Sequence, residues 1–192
     1  MACIGAGVIG HSWAALFAIK GYEVVLQDLK EDILARALSR IKSELEFLAQ
    51  KGILEKEAVQ ESIARISITT DLSNAVKDVD YVQESAFERY DVKKNLFKLI
   101  DEIVLPHTVI ASSTSALSMT EIQKVTKRPE RCVIVHPYNP PLLIPLVEII
   151  PGEKTSKQTI EIAYDLMLRL GKIPIIQKRE IPGGGGIGNR LA

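Results

Sequence analysis

The feature that most constrains this chain is a glycine-rich hexapeptide between a short apolar run and an apolar helical pattern. The motif G-x-G-x-x-G is formed by Gly5-Ala6-Gly7-Val8-Ile9-Gly10; residues 2–4 precede it and a helical pattern covers residues 8–19. The first glycine permits a tight turn, the second lets backbone approach a pyrophosphate, and the third allows close packing of helix on strand. The hexapeptide therefore predicts an anion site at a helix N-terminus.

An acidic residue follows the next predicted strand, residues 23–27, at the place where a dinucleotide site needs one. Asp28 comes about eighteen residues after Gly10. A carboxylate there accepts hydrogen bonds from ribose hydroxyls and repels the 2′-phosphate of NADP, so the pattern predicts NAD as cofactor. FAD-binding proteins share this fingerprint, and a flexible turn followed by a surface aspartate is the structural alternative.

Short apolar, β-branched runs alternate with amphipathic helical patterns along the rest of the chain. The alternation predicts an α/β fold of Rossmann type, with a doubly wound, mostly parallel sheet covered by helices on both faces. The predicted strands are residues 2–4, 23–27, 66–68, 81–83, 109–111, 132–135, 146–150 and 173–176, and the predicted helices are residues 8–19, 31–51, 55–64, 92–104 and 156–170.

A glycine patch at residues 183–186 marks the end of this pattern. It follows a proline and lies near the end of the chain, so it indicates a linker or turn rather than a core element. We therefore assign residues 1–181 to a dinucleotide-binding domain and residues 182–192 to a linker.

The composition excludes several classes of partner. Lys plus Arg and Asp plus Glu both number 24, so the net charge gives no reason to expect nucleic acid or a membrane as partner. No apolar run reaches about 18 residues, and the N-terminus has no signal-peptide pattern. Cys3 and Cys132 stand in apolar stretches without metal-ligand spacing, so we expect buried thiols, no metal site and a cytoplasmic location.

Polar side chains in the second half follow the ends of predicted strands. Ser115 comes after residues 109–111, and His136 comes after residues 132–135. Ligands of open α/β sheets bind beyond the carboxyl ends of the strands. A histidine there suits the removal of a hydroxyl proton, because its pKa lies near working pH. His136 is therefore the predicted general base.

Two of these side chains have alternative interpretations. Glu148 lies among apolar residues, where a charge is costly unless paired; it either pairs with His136 or faces solvent from an edge strand. Ser115 either binds a substrate hydroxyl or caps the next helix, where Ser118 and Glu121 have capping-box spacing. The other two histidines, His11 and His107, show no polar partner in the sequence, so a structural or solvated role is expected.

The segments IGAGVIG, SSTSAL, HPYNPP and IPLVEII together resemble the 3-hydroxyacyl-CoA dehydrogenase family, which includes the L-gulonate 3-dehydrogenase (λ-crystallin) group and carnitine dehydrogenase. The resemblance implies an NAD-dependent enzyme that oxidises an L-3-hydroxyacyl-CoA to the 3-ketoacyl-CoA. An alternative substrate is a small free hydroxy acid of the L-gulonate or carnitine type. The alternatives to a single-function enzyme are a non-catalytic NAD(H)-binding protein and one domain of a multifunctional enzyme.

The resemblance also implies roles for individual residues. From the residues alone, Glu88 and Lys93 look like a solvated helix start. The resemblance implies NAD binding by Gly5, Gly7, Val8, Ile9, Gly10 and Asp28, nicotinamide-side contacts by Glu88 and Lys93, substrate contacts by Ser115, Asn139 and Lys51, and catalysis by His136, Glu148, Ser115 and Asn189.

The sequence departs from the family pattern in three places. The family segment P-G-F-x-x-N-R is longer here and lacks its aromatic residue, so the match of Asn189 to the family's asparagine is less exact. The helical domain through which the family forms homodimers is not in the sequence, so we expect a fragment of a homodimeric protein. Glu44 stands near the position at which acyl-CoA enzymes of the family have a CoA-contacting serine. Lys51, in contrast, matches a lysine that contacts CoA in those enzymes.

Overall fold

The computed structural model describes residues 1–181 and 184–188. The strands are β1 (Ala2–Ile4), β2 (Val24–Gln27), β3 (Ile66–Thr69), β4 (Tyr81–Glu84), β5 (Val109–Ser112), β6 (Cys132–Pro137), β7 (Leu146–Pro151) and β8 (Ile173–Ile176). The helices are α1 (Val8–Ile19), α2 (Glu31–Gln50), α3 (Lys56–Ala64), α4 (Leu72–Val76), α5 (Tyr90–Ile103), α6 (Met119–Gln123) and α7 (Lys157–Arg169), and a 3-10 turn covers Pro129–Arg131.

The strands form one eight-stranded sheet in the order β3-β2-β1-β4-β5-β6-β7-β8. This arrangement confirms the predicted Rossmann-type, mostly parallel architecture. The chain first builds outward from β1 through β2 to β3 and then returns to place β4 on the other side of β1. The carboxyl ends of β1 and β4 therefore border a crevice at a topological switch point, the usual ligand position in such sheets.

Strand β7 runs antiparallel to β6, while β7 and β8 run parallel. The connection between β6 and β7, residues 138–145, is too short for the crossover of about a dozen residues that a parallel pair requires. The reversal puts His136 and Glu148 directly opposite each other in the strand register. Because β7 pairs with β6 on one side and with β8 on the other, it lies inside the sheet, and the edge-strand interpretation of Glu148 is wrong.

Apolar side chains fill both faces of the sheet. Trp13 and Phe17 of α1 stack in one layer, and Phe97 and Ile100 of α5 lie in the other. Cys3 and Cys132 are buried as predicted. Burial raises the pKa of each thiol to about 12, which keeps them protonated.

The helical pattern missed the two shortest helices, α4 and α6, which have five residues each. Five residues are too few to show a hydrophobic period, and both helices instead depend on N-caps. Asp71 caps α4, and Ser118 accepts a hydrogen bond from the Glu121 amide at the start of α6. The structure thus assigns the cap to Ser118 and not to Ser115. Among the described residues, no helix is both long and apolar enough to cross a membrane.

Candidate active site

The glycine turn after β1 has the geometry that the sequence predicts. Gly5 has φ +92°, which favours glycine, and a Cβ built on Gly10 would lie 1.7 Å from the Gly5 carbonyl oxygen. A Cβ built on Gly7 would meet nothing within 4 Å. The first and third glycines thus form the turn, and the second faces open space at the N-terminus of α1. This open backbone fits the pyrophosphate of a dinucleotide, which needs close approach to free N–H groups.

Asp28 lies one residue beyond β2 and is bound to the same turn. Its Oδ2 accepts a hydrogen bond from the Ala6 amide at 2.7 Å, and its Oδ1 accepts one from the Leu29 amide at 2.7 Å. These bonds fix the carboxylate next to the glycine motif, where an adenosine ribose would lie in a bound dinucleotide. The contact with ribose itself stays a prediction.

His136 and Glu148 form a buried hydrogen-bonded pair at the carboxyl end of β6. Their side chains are 5% and 8% exposed, and the His136 Nδ1 lies 2.9 Å from the Glu148 Oε2. Because a carboxylate accepts, Nδ1 carries the proton of this bond, which makes Nε2 the ring nitrogen that can accept another. The structure therefore confirms the predicted pairing, and the role of His136 as general base stays a prediction.

Two further groups hold the Glu148 carboxylate. The Gly188 amide donates to Oε1 at 3.0 Å, and the Tyr138 hydroxyl donates to Oε2 at 3.4 Å. Partial burial, and next the negative charge of Glu148, raise the pKa of Tyr138. The phenol therefore stays protonated and remains a donor. A cavity of about 620 Å³ borders Tyr138 and Glu148, and its lining combines leucine and isoleucine side chains with polar and charged residues 177–180.

The turn between β6 and β7 is fixed to the body of the domain. Lys172 donates through Nζ to the carbonyls of Pro141 and, at 2.8 Å, Ile144. The Leu142 amide donates to the Ser12 hydroxyl at 2.9 Å. Burial, together with nearby Lys20, lowers the pKa of Lys172 to about 8. These bonds hold the turn that carries Tyr138 and Asn139. The role of Lys172 in this turn was not predicted from the sequence.

Ser115 lies in an exposed loop after β5 whose backbone is held by Glu88. Oε1 of Glu88 accepts from the Thr114 hydroxyl at 2.6 Å, the Ser115 amide at 2.8 Å and the Ala116 amide at 3.1 Å. Burial alone would raise the pKa of Glu88, but the Thr114 hydrogen bond, the charge of Lys93 and the two amides lower it. The carboxylate is thus ionised and orders the serine loop.

Lys93 is not the solvated residue that the sequence alone suggested. Its side chain is 1% exposed, and Nζ donates to both oxygens of Glu84, at 2.8 and 3.0 Å, and lies 3.4 Å from Glu88. Glu84 is fully buried at the end of β4 and also accepts from Ser112 at 2.6 Å. The burial of Lys93 could not be predicted because its partner Glu84 lies nine residues away on another element, outside the helical pattern.

The glycine segment after β8 packs on the site, although its composition suggested a linker. Residues 184–186 are buried. A Cβ built on Gly185 would lie 2.4 Å from the Ser115 carbonyl, and one on Gly186 would lie 2.0 Å from the Glu148 Oε2. Glycine is required because this backbone runs against the serine loop and the histidine–glutamate pair at once. The assignment of residues 182–192 as an interdomain linker stays a prediction.

Two predicted substrate residues, Lys51 and Asn139, are not joined to this cluster by any contact described. Lys51 is exposed at the end of α2 with Nζ 5.4 Å from the Phe47 ring centroid. Asn139 is exposed beside Tyr138. Asn189 lies outside the described residues. The substrate contacts of Lys51 and Asn139 and the catalytic role of Asn189 stay predictions.

The two remaining histidines have polar partners, which the sequence analysis did not predict. His11 pairs with Glu44, and His107 pairs with Asp80, each at 3.0 Å. Both partners are more than twenty residues away in the sequence, so no local pattern could show them.

Comparison with known proteins decides the family of this fold and site. Residues 1–181 match the model of the 3-hydroxyacyl-CoA dehydrogenase, NAD binding domain. The chain belongs to the 3-hydroxyacyl-CoA dehydrogenase family. Its cofactor is accordingly NAD, as the glycine turn and Asp28 predict.

Relatives within the family carry different names. An L-carnitine dehydrogenase of Nocardiopsis dassonvillei is 42% identical over all of this chain and 56% of its own length. Rabbit (Oryctolagus cuniculus) lambda-crystallin is 36% identical over 94% of this chain and 57% of its own. The structure of (S)-3-hydroxybutyryl-CoA dehydrogenase from Ralstonia eutropha has a TM-score of 0.93 at 34% identity, with 99% of this chain and 66% of that chain covered. The chain thus spans little more than half the length of these curated relatives.

Proposed function

We propose that this chain is the NAD-binding domain of a dehydrogenase that oxidises the secondary hydroxyl of a small free hydroxy acid of the L-carnitine type. The observation that carries the proposal is the buried His136–Glu148 pair at the carboxyl end of β6, in a domain that binds NAD. A domain that only bound the cofactor would have no need for a buried imidazole oriented by a carboxylate.

The His136–Glu148 pair provides a route by which the hydroxyl proton leaves. Nδ1 of His136 is engaged by Glu148 at 2.9 Å, so Nε2 accepts the proton of the substrate hydroxyl. The imidazolium that results is stabilised by the Glu148 carboxylate, which Gly188 and Tyr138 hold in place. NAD, when bound on the glycine turn, supplies the hydride acceptor. Ser115, in the loop held by Glu88, is proposed to bind the substrate oxygen.

The choice of a free hydroxy acid rests on the relatives. Identity is 42% to the L-carnitine dehydrogenase and 34% to the 3-hydroxybutyryl-CoA dehydrogenase, both over nearly the whole chain. These observations favour the free acid over the acyl-CoA substrate that the family resemblance first suggested.

A CoA thioester is the second candidate. The TM-score of 0.93 to the 3-hydroxybutyryl-CoA dehydrogenase and the exposed position of Lys51 support it. Exposed lysine side chains are suited to binding phosphate as point charges.

The test follows NADH absorbance with the full-length protein and three substrates in parallel. Two assays combine NAD with L-carnitine or L-gulonate, and the third combines NADH with acetoacetyl-CoA. We expect oxidation of L-carnitine or L-gulonate and no reaction with acetoacetyl-CoA. Oxidation of NADH by the thioester alone would replace this proposal with the acyl-CoA function. Tight NADH binding without turnover of any of the three would indicate a non-catalytic NAD(H)-binding protein.

A further inference from the structure

Ser85 is the first residue beyond β4 and lies against the phosphate-binding turn, although no motif in the sequence points to it. Its amide donates to the Ile4 carbonyl at 2.7 Å. A Cβ built on Gly5 would lie 2.7 Å from the Ser85 carbonyl oxygen, and one built on Gly10 would lie 3.5 Å from the Ser85 Cβ. Ser85 is partly exposed. It therefore borders the crevice at the carboxyl ends of β1 and β4.

The Ser85 hydroxyl is attached to a polar network beneath the crevice. Its Oγ lies 2.8 Å from the Oγ of Ser113, the residue after β5. The Ser113 Oγ also accepts from the Trp13 indole N–H at 3.2 Å and from the Gln83 side-chain amide at 2.8 Å. The orientation of that amide is fixed, because its Nε2 also faces the Val135 carbonyl, an acceptor, at 3.3 Å. Two N–H groups thus point at Ser113.

These contacts determine which of the two serines is the donor. A hydroxyl has two lone pairs and one hydrogen. The N–H groups of Trp13 and Gln83 occupy both lone pairs of Ser113, so Ser113 must donate its own hydrogen to the Ser85 Oγ. Among the residues that the structure describes, no acceptor takes the hydrogen of Ser85 itself. The Ser85 hydroxyl therefore has a hydrogen to donate to a group that enters the crevice.

The position of Ser85 indicates which part of NAD meets this hydrogen. Asp28 follows β2 on one side of β1, and Ser85 follows β4 on the other side. The adenosine half of a dinucleotide belongs to the acidic residue after β2, so the nicotinamide half extends across the crevice over β4. The phosphate, ribose and carboxamide of that half all carry oxygen acceptors.

We propose that Ser85 is a cofactor-binding residue. Its hydroxyl, oriented by Ser113, donates a hydrogen bond to an oxygen of the nicotinamide mononucleotide half of NAD. The inference rests on NAD as the cofactor, which belongs to the proposed function, and does not depend on the proposed substrate. Its test is a binding measurement without substrate, so a wrong substrate assignment would leave the result unaffected.

The substitution Ser85→Ala removes the donor and keeps the backbone contacts with the glycine turn. We expect the dissociation constant of NADH, measured by fluorescence titration of the full-length protein, to rise about tenfold, the scale of one lost hydrogen bond. The dissociation constant of AMP, which has only the adenosine half, should stay within about twofold by calorimetry. Ser85→Cys fills the same space with a weak donor and should weaken NADH binding in the same way.

ADP-ribose locates the acceptor, because it extends AMP by the second phosphate and ribose but lacks the nicotinamide. If Ser85→Ala weakens ADP-ribose and NADH equally, the hydroxyl binds the phosphate or ribose of the nicotinamide half. If it weakens NADH alone, the hydroxyl binds the carboxamide. Both results support the proposal.

Ser113→Ala is the matched control, because it removes the same bond between the two serines but keeps the Ser85 hydroxyl. Its thermal unfolding temperature should fall at least as much as that of Ser85→Ala, since the N–H groups of Trp13 and Gln83 lose their acceptor. Its NADH dissociation constant should stay within about threefold of the unchanged protein.

Three results would overturn the role of Ser85. Normal NADH binding by both Ser85→Ala and Ser85→Cys would show that the hydroxyl does not contact the cofactor. A loss of AMP affinity equal to the loss of NADH affinity would mean that the glycine turn itself is disturbed. An equal loss of NADH affinity in Ser113→Ala would assign the effect to the network and not to the Ser85 donor.

Discussion

At the residue scale, the glycines of the phosphate-binding turn have different physical tasks. Gly10 is required by packing, since a Cβ would lie 1.7 Å from the Gly5 oxygen. Gly7 is not required by packing, since a Cβ there would meet nothing within 4 Å and its φ of −70° suits any residue. The need for glycine at position 7 therefore comes from the ligand.

This difference predicts opposite results for two alanine substitutions. Gly7→Ala should leave the thermal unfolding temperature nearly unchanged and weaken NADH binding by tenfold or more, because the new methyl occupies the path of the pyrophosphate. Gly10→Ala should lower the unfolding temperature, because helix α1 must move away from the turn. Equal destabilisation in both variants would mean that Gly7 is structural.

Asp28 allows a test of cofactor choice at the same scale. Asp28→Ala removes the carboxylate that favours ribose hydroxyls and repels a 2′-phosphate. We expect weaker NAD binding and a smaller preference for NAD over NADP, measured as the ratio of their dissociation constants. An unchanged ratio would show that Asp28 serves only the Ala6 and Leu29 amides.

At the element scale, the site depends on how strands and segments meet. The strands could be predicted because buried β-branched runs are distinctive, and the positions of Ser115 and His136 followed from the strand ends. The antiparallel β6–β7 pair was not predicted, although the short connection of residues 138–145 implies it. The packing of residues 184–188 on the histidine–glutamate pair could not be predicted, because a glycine run has no hydrophobic pattern and its function lies in close approach.

The close approach of Gly186 to Glu148 predicts the effect of a single methyl. In Gly186→Ala the Cβ would lie 2.0 Å from the Glu148 Oε2, so the flexible carboxylate must move away from His136. We expect turnover to fall about 10- to 100-fold, the scale for small misplacement of a catalytic group, with NADH affinity retained. Glu148→Gln is the comparison variant. If Gly186→Ala turns over normally, this segment does not position the carboxylate.

At the scale of the whole molecule, long-range pairs connect elements that the sequence cannot associate. Arg131, before β6, donates to the Asp101 carboxylate of α5 at 2.6 and 3.0 Å, and both side chains are buried. Such pairs join residues thirty positions apart, as do His11–Glu44 and Glu88 with the serine loop. This is why the fold and the His136–Glu148 pair could be predicted from local patterns, while these more distant polar partners could not. The homodimer through a helical domain stays a prediction.

The Asp101–Arg131 pair gives a stability prediction. Arg131→Met should lower the free energy of unfolding by about 3–5 kcal/mol, because it leaves Asp101 buried without its charged partner. The control is Asp32→Ala, which breaks an exposed pair between Asp32 and Arg36 at 2.8 Å and should cost under about 1 kcal/mol. Urea denaturation measures both. Similar losses in the two variants would mean that burial does not determine the contribution of the pair.

The role of His136 as the general base is tested by His136→Ala in the full-length protein, assayed for turnover and for NADH affinity. We expect turnover with the substrate found in the absorbance assay to fall by about two to four orders of magnitude, the usual contribution of a general base. The NADH dissociation constant should change less than about threefold, since the phosphate-binding turn is built by other elements. Normal turnover, or a loss of NADH binding equal to the loss of activity, would contradict the role of His136 as the base.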